Sequence, residues 1–394
     1  MAKRSRKSPT PKSSESKPAR KRSTTDSARL DALRDRINTI DQRLVRLLND
    51  RAKAAASIGD LKRAAGIPIY APHRESHVLS RVLALSKGPL PKRSIEGIYR
   101  EIMSGSFALE KPLRVAYLGP PGSFSHLAAV AQFGSSVEHA PLAAINALFT
   151  EVARAHADYA LAPIENSILG GITETLDALL EHAGRVHVCA EIQVAVHHSL
   201  LANCSPTRIK QVHSKPEVFA QCRRWLADNL PHAELVPAPS SSHAVQMVAE
   251  ASKKTRGRVG PPIAAIGSSL AAELYDVNVV YERIEDNPHN ITRFYVVAPN
   301  PAERSGDDKT SILFSTLNKP GALADVLTDF KRAGVNLTHI DKRPSQRTNW
   351  QYTFFVDAEG HHTDANVARA IARAKRHCKD ITVLGSYPRS RRIL

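Results

Sequence analysis

From Leu30 to Leu61 the apolar residues recur at alternating steps of three and four: Leu30, Leu33, Ile37, Ile40, Leu44, Leu47, Ala54, Ile58 and Leu61. This is a heptad seam, and it predicts one helix from Leu30 to Lys62, roughly 48 Å long at 1.5 Å per residue. Such a length exceeds the width of a domain of about 80 residues. The seam is therefore expected to pack along a second copy of itself, as a homodimer or a higher homo-oligomer. Gly66 and Pro68 stop the helix. Pro72 precedes a second one, expected over His73–Ser86, and a third is expected over Ser94–Glu110, ended by Pro112. One seam position, Arg51, is not apolar.

After Leu113 the period changes. Short apolar runs at Arg114–Leu118, Tyr159–Pro163, Val186–Val196, Ile209–Val212, Ala264–Ile266 and Arg293–Ala298 predict strands. Helical patterns over Leu127–Phe133, Ile145–Ala153, Thr173–Glu181, Glu217–Asn229 and Ala244–Ala251 lie between them. This alternation predicts an α/β domain over 113–300 with a mostly parallel sheet. Residues 301–309 are polar and predict a linker. Residues 310–388 predict βαββαβ, an α+β ferredoxin-like order, from Ser311–Thr316, Ala322–Arg332, Asn336–Arg343, Gln351–Asp357, Asp364–His377 and Ile381–Gly385. The basic tail Arg389–Arg392 is expected to be solvated.

Composition narrows the picture. The 394 residues carry 55 Lys and Arg against 38 Asp and Glu, a net +17, and 42% of them are hydrophobic. Nine Lys or Arg and two acids fall within residues 1–27, which hold almost no large apolar residue, so this segment is expected to be disordered. A solubilising extension, a nucleic-acid tail or a transit peptide would all be basic. The second lacks interleaved aromatics, and the third is weakened by the lysines and the missing amphipathic pattern. The remaining positive charge suits small anionic substrates. Cys189, Cys204, Cys222 and Cys378 form no Cys-x-x-Cys pair. That points away from a zinc ribbon, a redox pair or a disulfide scaffold and toward a reducing cytoplasm. No apolar run approaches 18 residues, so no membrane association is expected.

Arg51 on the seam calls for an anionic partner, either an acidic side chain across the bundle or a substrate carboxylate. Leu33-Arg34-x-x-Ile37-x-x-Ile40-Asp41-x-x-Leu44-x-x-Leu47-Leu48-x-x-Arg51, followed by Lys62 and Pro72-His73-Arg74-Glu75, resembles the all-helical chorismate mutases. The resemblance implies that residues 28–111 bind chorismate: Arg51 and Arg34 would hold its carboxylates, with Arg34 reaching into the partner's site. Lys62 and Glu110 would bond the ether oxygen. Arg74, Glu75 and Ser106 would complete the pocket, Glu75 facing the ring hydroxyl. The rearrangement to prephenate is pericyclic, so cations and donors around the compact conformer suffice, without nucleophile, metal or cofactor.

Gly119-Pro120-Pro121-Gly122-Ser123-Phe124-Ser125-His126 reads as a strand-to-helix turn that could hold an anion or be a simple cap. Pro163-Ile164-Glu165-Asn166-Ser167, Ser214-Lys215-Pro216 before Phe219-Ala220-Gln221, and Asn290-Ile291-Thr292-Arg293-Phe294 follow it. Together these segments resemble prephenate dehydratase. The resemblance implies two lobes like those of periplasmic binding proteins, the second over about 191–269, with the site in the cleft between them. Asn166, Gln221 and Thr292 would be catalytic, and Ser123 and Ser125 would contact substrate. Arg293 would bind a carboxylate or form a structural salt bridge. His197-His198 reads as structural, and Lys253–Arg258 as a basic surface insertion.

Asn318-Lys319-Pro320-Gly321-Ala322-Leu323-Ala324, with Arg343-Pro344 after Asp341-Lys342, resembles the ACT regulatory domains. The resemblance implies L-phenylalanine as effector at Gly321, Ala322, Leu323, Arg343 and Pro344, although the family has Glu-Ser before Arg-Pro. A bifunctional enzyme of phenylalanine biosynthesis is thus expected, making prephenate and then phenylpyruvate. The alternative is a non-enzymatic, amino-acid-responsive DNA-binding regulator. No helix-turn-helix supports it, and no nucleic-acid partner is expected.

Overall fold

The computed structural model describes residues 24–67, 70–254, 262–344 and 352–394. Most of the basic tail, Pro68, Thr255–Arg258 and Gln351 lie outside the described residues. The chain divides into two compact units, Met1–Ala54 and Ala55–Leu394, and the division falls inside the first helix.

That helix, α1, runs Thr24–Ala64, 41 residues, longer at both ends than its seam predicts. Leu33, Ile37, Ile40, Leu44 and Leu47 are each more than half exposed along it. In the second unit α2 covers Pro72–Leu85 and α3 covers Lys92–Glu110. Pro72 opens α2 because a first-turn N–H has no helical partner to lose. Tyr70, just before α2, is 2% exposed and packs on Phe107 of α3 and on Phe133 and Tyr159 farther along the chain. The helical segment thus shares a core with the α/β part.

The α/β part holds β1 (Arg114–Leu118), α4 (Phe124–Phe133), β2 (Glu138–Leu142), α5 (Ile145–Ala153), β3 (Tyr159–Asn166), β4 (Gly170–Gly171), α6 (Thr173–Glu181) and β5 (His187–Ala195). It continues through β6 (Ser199–Leu201), β7 (Gln211–Ser214), α7 (Pro216–Gln221), α8 (Arg223–Asn229), β8 (Glu234–Pro237), α9 (Ser241–Lys254), β9 (Ile263–Gly267), α10 (Ser269–Tyr275), β10 (Val279–Tyr281) and β11 (Ile291–Ala298). Two sheets result, ordered β2-β1-β3-β11-β5 and β10-β6-β9-β7-β8. Both are mixed rather than mostly parallel. β11 runs antiparallel to both β3 and β5, because the chain leaves the first sheet along β5 and re-enters it along β11. The expected crossing near Glu191 and return near Leu270 are therefore displaced. Glu191 sits inside β5 of the first sheet, and the second sheet ends only with β10.

The last part is β12 (Asp308–Thr316), α11 (Ala322–Arg332), β13 (Leu337–Pro344), β14 (Tyr352–Glu359), α12 (Ala365–Ala374) and β15 (Cys378–Pro388). Its sheet runs β13-β14-β12-β15. Asp308 and Lys309, read as the end of a linker, are buried strand residues. Arg391 and Arg392 are exposed, as expected, and still reach partners on the folded chain. Leu394 N–H donates to Gln193 O of β5 at 2.8 Å, Arg391 pairs with Asp307 at 2.7 Å, and Arg392 with Glu96 at 2.9 Å.

Candidate active sites

In the helical part, α1 and the end of α3 approach closely at Gly59, where a Cβ would lie 2.7 Å from Glu110 Cγ. This approach sets Lys62 Nζ 4.0 Å from Glu110 Oε2, with Glu110 only 6% exposed. Ser106 stands one turn before Glu110 on α3 and donates to Ile102 O at 2.8 Å. Arg51 is half-buried on α1, and Arg34 is exposed and pairs with Asp31 at 3.1 Å. Arg74 is exposed, beside His77. Glu75 departs from its expected role: its buried carboxylate is taken by Arg100 of α3, with Gln132 of α4 at 3.4 Å. A buried carboxylate needs such partners, and Arg100 and Gln132 supply them.

In the α/β part, strand register places the expected residues. Thr292 of β11 stands opposite Asn166 of β3. Asn166 Nδ2 donates to Thr292 Oγ1 at 2.9 Å and to Asn290 Oδ1 at 2.8 Å. Asn290 Nδ2 donates to Gln221 Oε1 at 3.2 Å. Asn166, Gln221 and Thr292 are therefore brought into one hydrogen-bonded cluster at the end of the first sheet. Asn290 belongs to it too, although sequence reading gave it no role; its place next to the Thr-Arg-Phe run was the available signal. The Gly-rich turn reaches the elements of the second sheet. Ser268 Oγ donates to Gly122 O at 2.7 Å, and a Cβ on Gly122 would meet Ser242 Oγ at 2.8 Å. Ser123 acts as the cap of α4, accepting from His126 N at 3.2 Å and donating to Leu118 O at 2.9 Å. Ser125 is buried on α4.

Arg293 takes the structural alternative. Successive strand residues face opposite sides, and Arg293 turns away from Thr292 to Asp357 of β14 at 2.6 Å and to Tyr295 at 3.0 Å. Its cross-strand partner Glu165 likewise meets His339 of β13 at 3.5 Å. Burial is the largest influence on Asp357 and opposes its charge, but Arg293, the hydrogen bonds from Ser311 and Tyr295 and the nearby His339 together outweigh it, so its carboxyl lies below the usual range.

In the last part a pocket of about 250 Å³ opens between the start of α11 and β14. Gly321, Ala322 and Leu323 line it, with Tyr352 and Phe354. Arg343 and Pro344 do not. Arg343 grips Asp177 of α6 with two bonds, at 2.8 and 2.6 Å, and Pro344 ends β13. Lys342 lies 5.1 Å over the Tyr352 ring. Among the described residues no group of three or more His, Cys, Asp or Glu side chains could hold a metal ion, and no helix is long and apolar enough to cross a membrane.

Comparison with known proteins assigns these parts. Residues 33–111 match the chorismate mutase type II family, 115–302 the prephenate dehydratase family and 310–376 the ACT domain family. A bifunctional chorismate mutase/prephenate dehydratase of Stutzerimonas stutzeri is 40% identical over 368 residues, 92% of this chain and 98% of its own. One from Aquifex aeolicus is 40% identical over 366 residues, again 92% and 98%. The solved prephenate dehydratase of Arthrobacter aurescens, in complex with L-Phe, matches with a TM-score of 0.63 at 34% identity, over 70% of this chain and 90% of that one. With these identities and coverages, the chain belongs to the family of bifunctional chorismate mutase/prephenate dehydratases.

Proposed function

We propose that the helical part converts chorismate to prephenate, that the Asn166–Thr292 cluster converts prephenate to phenylpyruvate, and that L-phenylalanine restrains the second step. The observation that carries the dehydratase assignment is the direction of the Asn166–Thr292 bond. Thr292 Oγ1 accepts from Asn166 Nδ2, so its own proton is left to donate. Prephenate must lose carbon dioxide and its ring hydroxyl while the ring becomes aromatic. A donor at the leaving oxygen lets the hydroxyl depart as water, and the electrons freed by C–C cleavage complete the ring. An unassisted threonine is a weak acid; the N–H of Asn166 on its oxygen stabilises the charge left behind. Gln221 orients the substrate.

In the mutase, Lys62 and Glu110 bond the ether oxygen as its C–O bond breaks. The resemblance to chorismate mutases supports Arg51 as a holder of a substrate carboxylate and Arg34 as a residue that reaches the partner's site. The exposed seam of α1 supports a homodimer formed along that helix. The two sheets support a two-lobed reading like periplasmic binding proteins, and the order β13-β14-β12-β15 supports a ferredoxin-like effector domain. Four free cysteines fit a cytoplasmic enzyme.

Phenylalanine fits the pocket at Gly321–Leu323, its carboxylate on the N–H groups that open α11 and its ring toward Phe354. The residues next to Asn166 and Thr292, namely Glu165 and Arg293, contact His339 and Asp357 of the effector domain. That gives a short route from pocket to site. The test is to add chorismate to the purified chain and follow phenylpyruvate by ultraviolet absorbance, with and without phenylalanine. No phenylpyruvate would end the proposal; a non-enzymatic regulator would behave so.

A further inference from the structure

The Asn166–Thr292 bond is one end of a longer polar chain whose direction can be read link by link. Asn166 Oδ1 accepts the main-chain N–H groups of Ile168 and Leu169, each at 3.0 Å. A main-chain N–H can donate but not accept, so the oxygen end of this amide is fixed. Asn166 Nδ2 then donates to Asn290 Oδ1, which leaves Asn290 Nδ2 as the donor to Gln221 Oε1. Gln221 thus meets the chain through its oxygen. That same oxygen lies 2.7 Å from His198 Nε2, so His198 must carry its hydrogen on Nε2.

His198 is built for this task. It is 1% exposed, and burial pushes its pKa down against the pull of Gln221 and Glu285, which favours a neutral ring. Its main-chain N–H is held by Glu285 Oε2 at 2.9 Å, while Glu285 Oε1 meets His197 Nδ1 at 2.7 Å. Its ring stands edge-on to Phe124, 5.4 Å away, on the helix that opens at the Gly-rich turn. Glu285 therefore holds the backbone at His198 and Phe124 packs on its ring, while the hydrogen on Nε2 is read from Gln221 Oε1.

We propose that His198 is a positioning residue of the dehydratase: its Nε2–H pins Gln221 Oε1, so that the Gln221 amide presents its NH₂ as a donor to the substrate. The proposal rests on the reading of Asn166, Gln221 and Thr292 as the dehydratase site. Without His198, the bond from Asn290, at 3.2 Å, is the one that remains on that oxygen, and the amide can turn its acceptor toward a substrate carboxylate or carbonyl.

The test uses the full chain, with prephenate turnover as readout and chorismate-to-prephenate turnover as internal control. His198→Met removes the donor at similar volume and should lower dehydratase kcat/KM about tenfold to a hundredfold. KM should rise more than kcat falls, because orientation of bound substrate is what is lost, and mutase turnover should hold. His198→Gln sets an amide N–H near the place of Nε2 and should recover most of the loss; His198→Asn is too short to reach and should not. In a Gln221→Leu background, His198→Met should add less than about twofold, since both act through one contact. Losses that multiply, or equal activity of His198→Gln and His198→Asn, would overturn the proposal even if His198→Met fails to fold. Wild-type turnover in Gln221→Leu would instead overturn the site reading, and the proposal with it.

Discussion

The two sites proposed for this chain are built on opposite plans. Of the residues proposed for the mutase, Arg34, Arg51 and Lys62 belong to α1, whose apolar seam is open to solvent, with Leu47 66% exposed. The residues proposed for the dehydratase come from three elements of an α/β fold, and each polar group is held by the next: Asn166 by two main-chain N–H groups, Asn290 by Asn166, Gln221 by Asn290. Pericyclic chemistry asks a protein to confine one conformer and to face it with cations, and long side chains on helices can do that across a dimer. Dehydration with decarboxylation asks for a proton at one oxygen and not at another. That needs amides whose direction is fixed, and a single folded chain fixes them.

If this contrast holds, the sites break independently. Lys62→Ala should lower mutase turnover roughly 10²–10³-fold and spare prephenate turnover, and Thr292→Ala should do the reverse by a similar factor. Thr292→Ser, which keeps the hydroxyl, should retain more activity than the alanine variant. Separate assays of the two steps are the check; loss of both activities in either variant, with the fold intact by circular dichroism, would mean one shared site.

The contrast also concerns assembly. A charge on the seam, as in Ile40→Glu, should make the chain monomeric in sedimentation and lower mutase turnover about tenfold or more, because a buried unpaired carboxylate is costly. Dehydratase turnover should be largely kept. A dimeric Ile40→Glu variant with full mutase activity would show that the seam is not the interface.

Coupling to the effector should be smaller. Replacing the Arg293–Asp357 pair together, as Arg293→Met with Asp357→Asn, avoids stranding a buried charge and should erase most of a 5–150-fold effect of phenylalanine on dehydratase turnover, a coupling of about 1–3 kcal/mol. Asp357 is held below its ordinary pKa of 3.8, so the pair's contribution to stability is present above that value and lost as pH falls below it. The double variant should therefore lose less stability than the parent between neutral pH and pH about 3. Undiminished inhibition in the double variant would point to another route, with Arg343–Asp177 next.

In the mutase, the role proposed for Glu110 is a hydrogen bond donated to the ether oxygen. Glu110→Gln, a permanent donor of similar size, should keep mutase turnover within about tenfold, and Glu110→Leu, which has no donor, should lose more. Equal turnover in the two variants would refute the role.

How far the sequence reached follows the same divide. The α1 seam and the helices over 145–153, 173–181 and 322–332 were legible because one face of each is periodic. The strands β2, β6, β8 and β10 were not. They are three to five residues long, and Glu138–Leu142 and Glu234–Pro237 carry polar ends that hide the pattern. Asn166, Gln221 and Thr292 could be named from local segments. Their link through Asn290 to His198 could not, because it joins residues up to 124 apart in sequence. Glu75 and Arg343 show the limit of motif reading: each stands where the resemblance puts a ligand-binding group, and each is held here by a charged partner from another element.

The smallest expected effect separates a cap from a ligand. Ser123 holds the first turn of α4, through His126 N and Leu118 O. A hydroxyl that accepts one bond and donates another has little left for a substrate anion. Ser123→Ala should thus act on stability, costing about 1 kcal/mol as N-cap losses do. In a domain of about 190 residues that lowers Tm by roughly 2–4 °C. KM for prephenate should change less than about twofold, because the Asn166–Thr292 cluster stays intact. Calorimetry and dehydratase kinetics on one preparation decide it. An unchanged Tm with a KM raised about tenfold would return Ser123 to the substrate, and would place the anion at the Gly-rich turn rather than beside Gln221.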